Sequence, residues 1–463
     1  MRQRGAGENR RFVRRLGGGG VVVLGLVLTV GMPAASAQSY SFTAYRPALP
    51  AGASSGVRSQ ASLASLSCPA SSQCYAVGVY QTAGGEQPLI EQGPVGHLSP
   101  ATLSLPSGGV TGSLSSVSCA STTYCVAVGS YLNAASDSSA LLYVGESGAW
   151  TEVTVPEYEG NPVYELSEVA CSTSTSIGCV ATDDSNYFVD EVASTWTTSP
   201  IPPPPSGEGN YDTIGCDSNE CVLAGYTYLG GDPGNYASLP IISVGAGTSW
   251  ATSLANLPAS ADTAVVPGNS SGFLGISCVS TTCWAVGNYR KAHAKYIESV
   301  GLFEKITTTG TSSPSETPKA VPQPSGSNAD PATYLERVSC PTAVSCTAAG
   351  YFYTSAASFE TVVADFAGGP VSETEIPGSD FNAGQMSCTK TVCLIDPNYG
   401  DPIAGDGATW SMVPAAAPSG SSGPQQSAPA CVAPSRCYAV GEFTNAKAGT
   451  DPLANVLTTV PGS

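Results

Sequence analysis

Few side chains in this sequence could do chemistry at neutral pH. Its 463 residues hold two histidines, His97 and His293, so no polyhistidine metal centre can be assembled. One cationic cluster stands out: Arg290, Lys291, His293 and Lys295 lie together in a chain with 17 basic and 35 acidic residues and a net charge of -18. Such a cluster can recognise an anionic ligand or partner, or it can be an ordinary solvated loop. Acidic runs at Asp183-Asp184 and from Asp396 to Asp401 supply oxygen ligands of the kind calcium takes. Neither has EF-hand spacing, and solvated turn carboxylates are the simpler reading. No cofactor is expected, calcium being the one ion these turns invite. Two matches to G-x-S-x-G, at Gly52 to Gly56 and Gly268 to Gly272, fall in Ser/Gly/Pro-rich links. The catalytic version of that motif needs a strained strand-to-helix elbow, so both are read as coincidence.

The residues with a regular spacing are the sixteen cysteines. They form eight close pairs: Cys68 with Cys74, Cys119 with Cys125, Cys171 with Cys179, Cys216 with Cys221, Cys278 with Cys283, Cys340 with Cys346, Cys388 with Cys393, and Cys431 with Cys437. Zinc sites would require these pairs to meet two by two without histidines, which makes local disulfides the better reading. First cysteines recur every 43 to 62 residues, so the chain is an array of units of about fifty residues. Four residues after the second cysteine stands Gly at 78, 129, 225, 287, 350 and 441, and two further on an aromatic such as Tyr80, Tyr131 or Phe443. The consensus is L-x-x-V-S-C, a short polar turn, then C-x-A-V-G-x-Y.

These spacings imply the elements that carry them. In C-x-A-V-G-x-Y the cysteine, Ala, Gly and aromatic share one face and the Val takes the other, with no charge on either. A strand of this kind is buried on both sides, and its Ala/Gly face would let a neighbouring sheet approach closely. The polar turn between the cysteines suits a tight hairpin, and a cystine across it closes a loop of six to nine residues. Such closure stabilises by roughly 2 to 2.5 kcal/mol in the chain-entropy model. A second hairpin follows in several units, a Gly-rich turn leading to Trp150, Trp250 or Trp410, with a degenerate version at Trp196. Four strands per unit result, and four-stranded units arranged radially make an all-β propeller. The last unit lacks its fourth strand, while Tyr40 to Tyr45 reads like one. Eight blades with the N-terminal strand closing the last one is therefore expected over 38–463; seven blades with one unit merged, or two smaller domains, are the alternatives.

The V-S-C, C-x-A-V-G and G-x-x-W pattern resembles secreted bacterial propeller repeats, similar to the Asp-box sialidase-like group and to photosystem assembly-factor propellers. The resemblance spans nearly all of 38–463 and implies a fold, not an activity. It departs from the Asp box, whose Asp five residues before Trp is Gly145, Glu191, Gly245 or Gly405 here. Sialidases of this class use an arginine triad, and from Arg46, Arg58, Arg290, Arg337 and Arg436 none can be assembled.

Arg2, Arg4, Arg10, Arg11, Arg14 and Arg15 precede an apolar run, Val21 to Val30, that ends at Pro33 and Ala34-Ala35-Ser36-Ala37. Residues 1–37 thus read as a secretory signal peptide, in keeping with a disulfide-rich chain. The acidic balance argues against nucleic acid as a partner, and no later segment is long and apolar enough to span a bilayer. The expected protein is an extracellular or surface-bound monomer, a non-catalytic propeller binding a glycan, peptide or protein. Its alternatives are a glycan-active hydrolase of sialidase-like type and a structural module of the cell envelope. Long, unequal links between second and third strands and between blades put recognition on that face, with Arg290, Lys291, His293 and Lys295 as its cationic contact.

Overall fold

In a computed structural model, residues 38–460 are described apart from 175–176, 184–186, 193, 206–207, 230–236, 248, 264–269, 293–296, 311–313, 328–331, 355–357, 380–382 and 398–399. The described residues form eight four-stranded antiparallel sheets, seven of them up-and-down runs of consecutive strands. Seven blades span 61–100, 109–152, 168–200, 209–254, 272–320, 333–376 and 383–412. The eighth takes three strands from 422–460, and its outer strand is Ser39–Tyr45, which pairs antiparallel with Thr450–Val460 from Ser39 opposite Val460 to Tyr45 opposite Ala454. The eight-blade reading therefore holds, with the closing strand where the sequence puts it.

Every cysteine pair is bonded within its own blade, across the hairpin between the first and second strands. The bonds are Cys68 to Cys74, Cys119 to Cys125, Cys171 to Cys179, Cys216 to Cys221, Cys278 to Cys283, Cys340 to Cys346, Cys388 to Cys393, and Cys431 to Cys437. The paired Cα atoms lie 3.9 to 4.1 Å apart, because most pairs occupy directly opposed positions such as Cys119 and Cys125. Cys74, Cys125, Cys179, Cys221, Cys283, Cys346, Cys393 and Cys437 open the second strands and are all buried, as the two-sided burial of C-x-A-V-G requires. No free cysteine is left among the described residues.

The consensus glycine has a different reason from the close sheet approach expected above. The innermost strand of most blades carries a β-bulge three to five residues before its cysteine, as between Leu63 and Ser65 or Leu335 and Arg337. The bulge pushes a backbone carbonyl under the second strand. A Cβ at Gly78, Gly129, Gly225, Gly287, Gly350 or Gly441 would collide with the carbonyl oxygen of Ser62, Ser113, Asn210, Gly272, Tyr334 or Gln425 respectively. The close approach is thus within one sheet. The Gly before Trp has a similar role, since Gly145, Gly245 and Gly405 face Trp150, Trp250 and Trp410 across the strand pair, where the indole fills the space of a side chain.

Blades meet through apolar seams. The residue before the bulge glycine packs against the apolar residue before the bulge in the next blade: Val77 with Leu114, Val128 with Leu166, Val286 with Leu335, and Val440 with Leu63. Around the axis the seams are stitched by hydrogen bonds from backbone to side chain. The N–H of Val117 donates to Ser65 Oγ at 3.2 Å and that of Val169 to Ser116 Oγ at 3.3 Å. One step further along the strand, the N–H groups of Cys171, Cys340, Cys388 and Cys431 donate to Ser118, Ser277, Ser339 and Ser387 at 2.9 to 3.1 Å. The serine of V-S-C satisfies inner-edge donors that an unpaired innermost strand would otherwise leave open.

Candidate functional site

Two places on the molecule gather functional groups, the central channel and the face carrying the inter-blade links. The channel has a volume of about 380 Å³ and is lined by inner strands of all eight blades. Its wall is mostly small and hydroxylic because each bulge turns Ser65, Ser116, Thr213 or their equivalents inward. Two charged side chains interrupt it. Glu168 Oε2 accepts the N–H of Ile214 at 3.1 Å and so serves the seam between blades 3 and 4. Arg337 donates from Nε to the Gly384 carbonyl at 2.6 Å and from Nη1 to the carbonyls of Leu274 and Glu336, both at 2.8 Å. Three backbone carbonyls from three successive blades thus fix the guanidinium in the channel wall.

The bulge residue beside it is Glu336. Burial pushes its carboxyl up to about 7, against the lowering effect of the Arg337 charge and the Ala383 N–H. Next to this pair, Tyr334 stacks on Tyr351 at 5.0 Å between ring centroids, and Tyr353 and Phe359 meet the Tyr351 ring at 5.9 and 5.8 Å. Tyr334 lies at the start of its inner strand and Tyr351, Tyr353 and Phe359 at the facing ends of the second and third strands, so this aromatic group stands toward the face of the inter-blade links. The Tyr351 phenol is raised by burial and by Tyr334, Glu336 and Tyr353, which holds it protonated.

The cationic cluster is placed differently from a free loop. The second strand of blade 5 runs to Ala292, so Arg290 and Lys291 are strand residues, and Lys291 forms an ion pair with its cross-strand partner Glu298 at 3.3 Å. The Arg290 N–H donates to Ser271 Oγ at 3.1 Å and its carbonyl accepts from Asp262, which pins this strand end to the incoming link. His293 and Lys295 lie outside the described residues. Asp183 spends its carboxylate on a turn, accepting the Tyr187 N–H at 2.9 Å, and Asp184 is outside the described residues. Asp396 is not in a turn at all but in the second strand of blade 7, 2% exposed. Among the described residues no group of three or more His, Cys, Asp or Glu is arranged to hold a metal ion.

Sequence reasoning missed Arg337 and Glu336 as a channel pair. The signal was there in Arg337, the one basic residue at a position where the other repeats carry Ser65, Ser116, Glu168, Thr213, Gly275, Gln385 and Ala428.

No protein-family model matches the chain, and no curated protein matches it. Solved structures do resemble it. One titled "YCF48 bound to D1 peptide" aligns over 91% of this chain and 97% of its own at 10% identity, with a TM-score of 0.41. The β-propeller domain of the trilobed protease from Pyrococcus furiosus covers 74% and 95% at 7% identity, TM-score 0.39. A mutant Trypanosoma rangeli sialidase covers 59% and 57% at 8% identity, TM-score 0.30.

Proposed function

We propose that this protein is an exported, non-catalytic binding propeller that takes an extracellular glycan, peptide or protein on the face of the inter-blade links. The observation that carries the reading is the cluster of Tyr334, Tyr351 and Tyr353 toward the link face of the blade whose inner strand holds the immobilised Arg337 in the channel wall. Aromatic faces offer stacking area, and a guanidinium already held by three carbonyls donates without a further ordering cost. Arg290 and Lys291, with His293 and Lys295, are the proposed cationic contact on the same face.

A glycan-active hydrolase is the second reading, favoured by Glu336, which is able to hold a proton near neutrality. The adjacent Tyr351 argues against it, since a phenol raised above its ordinary value is a poor nucleophile.

The test uses residues 38–463 on glycan and peptide arrays with a parallel assay for released reducing sugar and sialic acid. Retention of a ligand without turnover supports binding, and turnover overturns it in favour of the hydrolase. Fractionation with cell wall and no soluble ligand would point to the envelope module. Charge reversal of Arg290, Lys291 and Lys295 is expected to weaken binding, and substitution of Gln73 and Arg436 in the cystine hairpins to leave it unchanged.

A further inference from the structure

In seven of the eight blades the residue five before the first cysteine is apolar and buried, as Leu63, Leu114, Leu166, Tyr211, Phe273, Leu335 and Ala383 are, and in blade 8, at its seam with blade 7, that residue is Gln426. It stands opposite Gly441, as Leu63, Leu114, Tyr211, Phe273 and Leu335 stand opposite the glycines or their equivalents in other blades. Its counterpart across the seam is the residue before the bulge position on the second strand. That residue is Val77, Val128, Val286 or Val440 in four seams and Asp396 here. The contact that is Val77 on Leu114 in one seam and Val440 on Leu63 in another is therefore a carboxyl facing an amide. The apolar cluster of this seam contains neither residue.

Both replacements are buried, Asp396 at 2% and Gln426 at 9% exposure. Asp396 Oδ2 and both polar atoms of the Gln426 amide have no hydrogen-bond partner among the described residues. They line a recess of about 360 Å³ that opens off the channel, bounded by Arg337 on one side and Ser62 to Ala64 of blade 1 on the other, with Glu442 at its edge. Since it is built from the starts of inner strands and the ends of second strands, it lies toward the face of the inter-blade links.

We infer that this recess binds a neutral, polyhydroxylated ligand, a single sugar unit or the end of a glycan, through Asp396, Gln426 and Arg337. The lining decides the class. An apolar ligand would leave a carboxyl and an amide buried without partners. A cation would meet the fixed Arg337 guanidinium, and an anion would meet Glu442 in a chain of charge -18. Hydroxyl groups each donate and accept, and they match a carboxyl group and an amide that also do both. Burial raises the Asp396 carboxyl well above its ordinary value, which favours the protonated form that donates as well as accepts. The volume is at the small end of ligand pockets. Two polar substitutions at mutually facing core positions cost stability, and a bound ligand is what would keep both.

The inference rests on the binding reading and names one of its sites. The test titrates residues 38–463 with glucose, galactose, mannose and N-acetylglucosamine, followed by saturation-transfer NMR and calorimetry, in the wild type and in D396V/Q426L, which restores the kind of apolar pair found in other seams. At least one sugar is expected to bind the wild type, with at least tenfold weaker binding to D396V/Q426L and a higher denaturation midpoint for that variant. D396N, which keeps a neutral polar group, should retain affinity within about threefold, as should R436E in a cystine hairpin outside the recess. Binding of none of these sugars to the wild type overturns the inference, as does equal binding by D396V/Q426L. Calcium uptake by the wild type that D396V/Q426L abolishes would also overturn it, in favour of a cation site. Array ligands that D396V/Q426L still binds would sink the recess alone and leave the binding propeller standing.

Discussion

The carbonyl oxygen of Ser62 occupies the space that a β-carbon on Gly78 would need, and the Leu63 Cα lies 2.9 Å from the same point. Both obstacles are backbone, held in place by the bulge between Leu63 and Ser65, so neither can rotate away. Gly78→Ala should therefore destabilise the fold by about 1–3 kcal/mol, the range for overpacking a tight site. Gly84→Ala, at an exposed turn where only Thr82 Oγ1 is near, should cost less. Urea midpoints of the two variants check this, and equal midpoints would refute the bulge explanation of the repeat glycine.

The serine stitches give a second expectation. Ser118 and Ser339 each accept one backbone N–H from the next blade, at 3.0 and 2.9 Å. Replacing either by Ala should cost roughly 1–3 kcal/mol, the penalty of a buried donor left without a partner, provided water does not enter from the channel. Ser→Thr keeps the hydroxyl and should recover most of the loss. Hydrogen exchange would show the effect at the Cys171 or Cys388 amide, and unchanged protection there would count against the stitch.

Much of this architecture was legible in the sequence because repetition exposes constraint. Eight cysteine pairs at near-constant spacing give the hairpins, and Tyr40 to Tyr45 gives the closing strand, since these depend on local pattern. The cause of a consensus residue was less legible. The glycine read as an allowance for a neighbouring sheet, whereas it accommodates a bulge in its own, because a bulge leaves no periodic mark. The serine of V-S-C carries no local mark of its role as an acceptor, because the N–H it accepts stands one blade away. Site groups were hardest to find. Asp396 looked like a calcium-turn residue because Asp401 follows it, while its register places it in a strand, facing Gln426 of the next blade.

Two further carboxyls make stability depend on pH. Glu91 and Glu304 lie on third strands opposite Ala76 and Ala285, fully buried. Burial lifts Glu91 to about 8, and burial together with Glu316 lifts Glu304 to about 9. The folded protein thus binds more protons than the unfolded chain between the ordinary carboxyl value of 4.5 and these raised values. Stability is then greatest below about 4.5 as far as these groups are concerned and falls as pH rises toward 8 and 9. Denaturation midpoints from pH 5 to pH 9 should decline, and E91Q/E304Q should flatten the profile. A profile that rises over that interval in the wild type, or an unchanged slope in the variant, would contradict the assignment.

The last expectation concerns ring closure. Ser39–Tyr45 supplies the outer strand of blade 8, and beyond it Arg46 forms an ion pair at 2.7 Å with Asp451, itself fully buried. Asp451 also accepts hydrogen bonds from Ser59 Oγ and Asn445 Nδ2, so one carboxylate ties the entering chain, the link to blade 1 and the third strand of blade 8 together. A chain beginning at Leu49 would lack both the strand and the arginine. It would present Thr450–Val460 as a bare edge, the kind of surface that pairs with other chains. That truncated protein is expected to lose blade 8 protection in hydrogen exchange and to associate as its concentration rises. A synthetic peptide of residues 38–48 added in trans should restore the monomer. R46A, which keeps the strand, should show a lower midpoint without association, because it leaves a buried carboxylate short of its cation. If the truncated chain stayed monomeric with blade 8 fully protected, the N-terminal strand would be an accessory to the ring and not its closure.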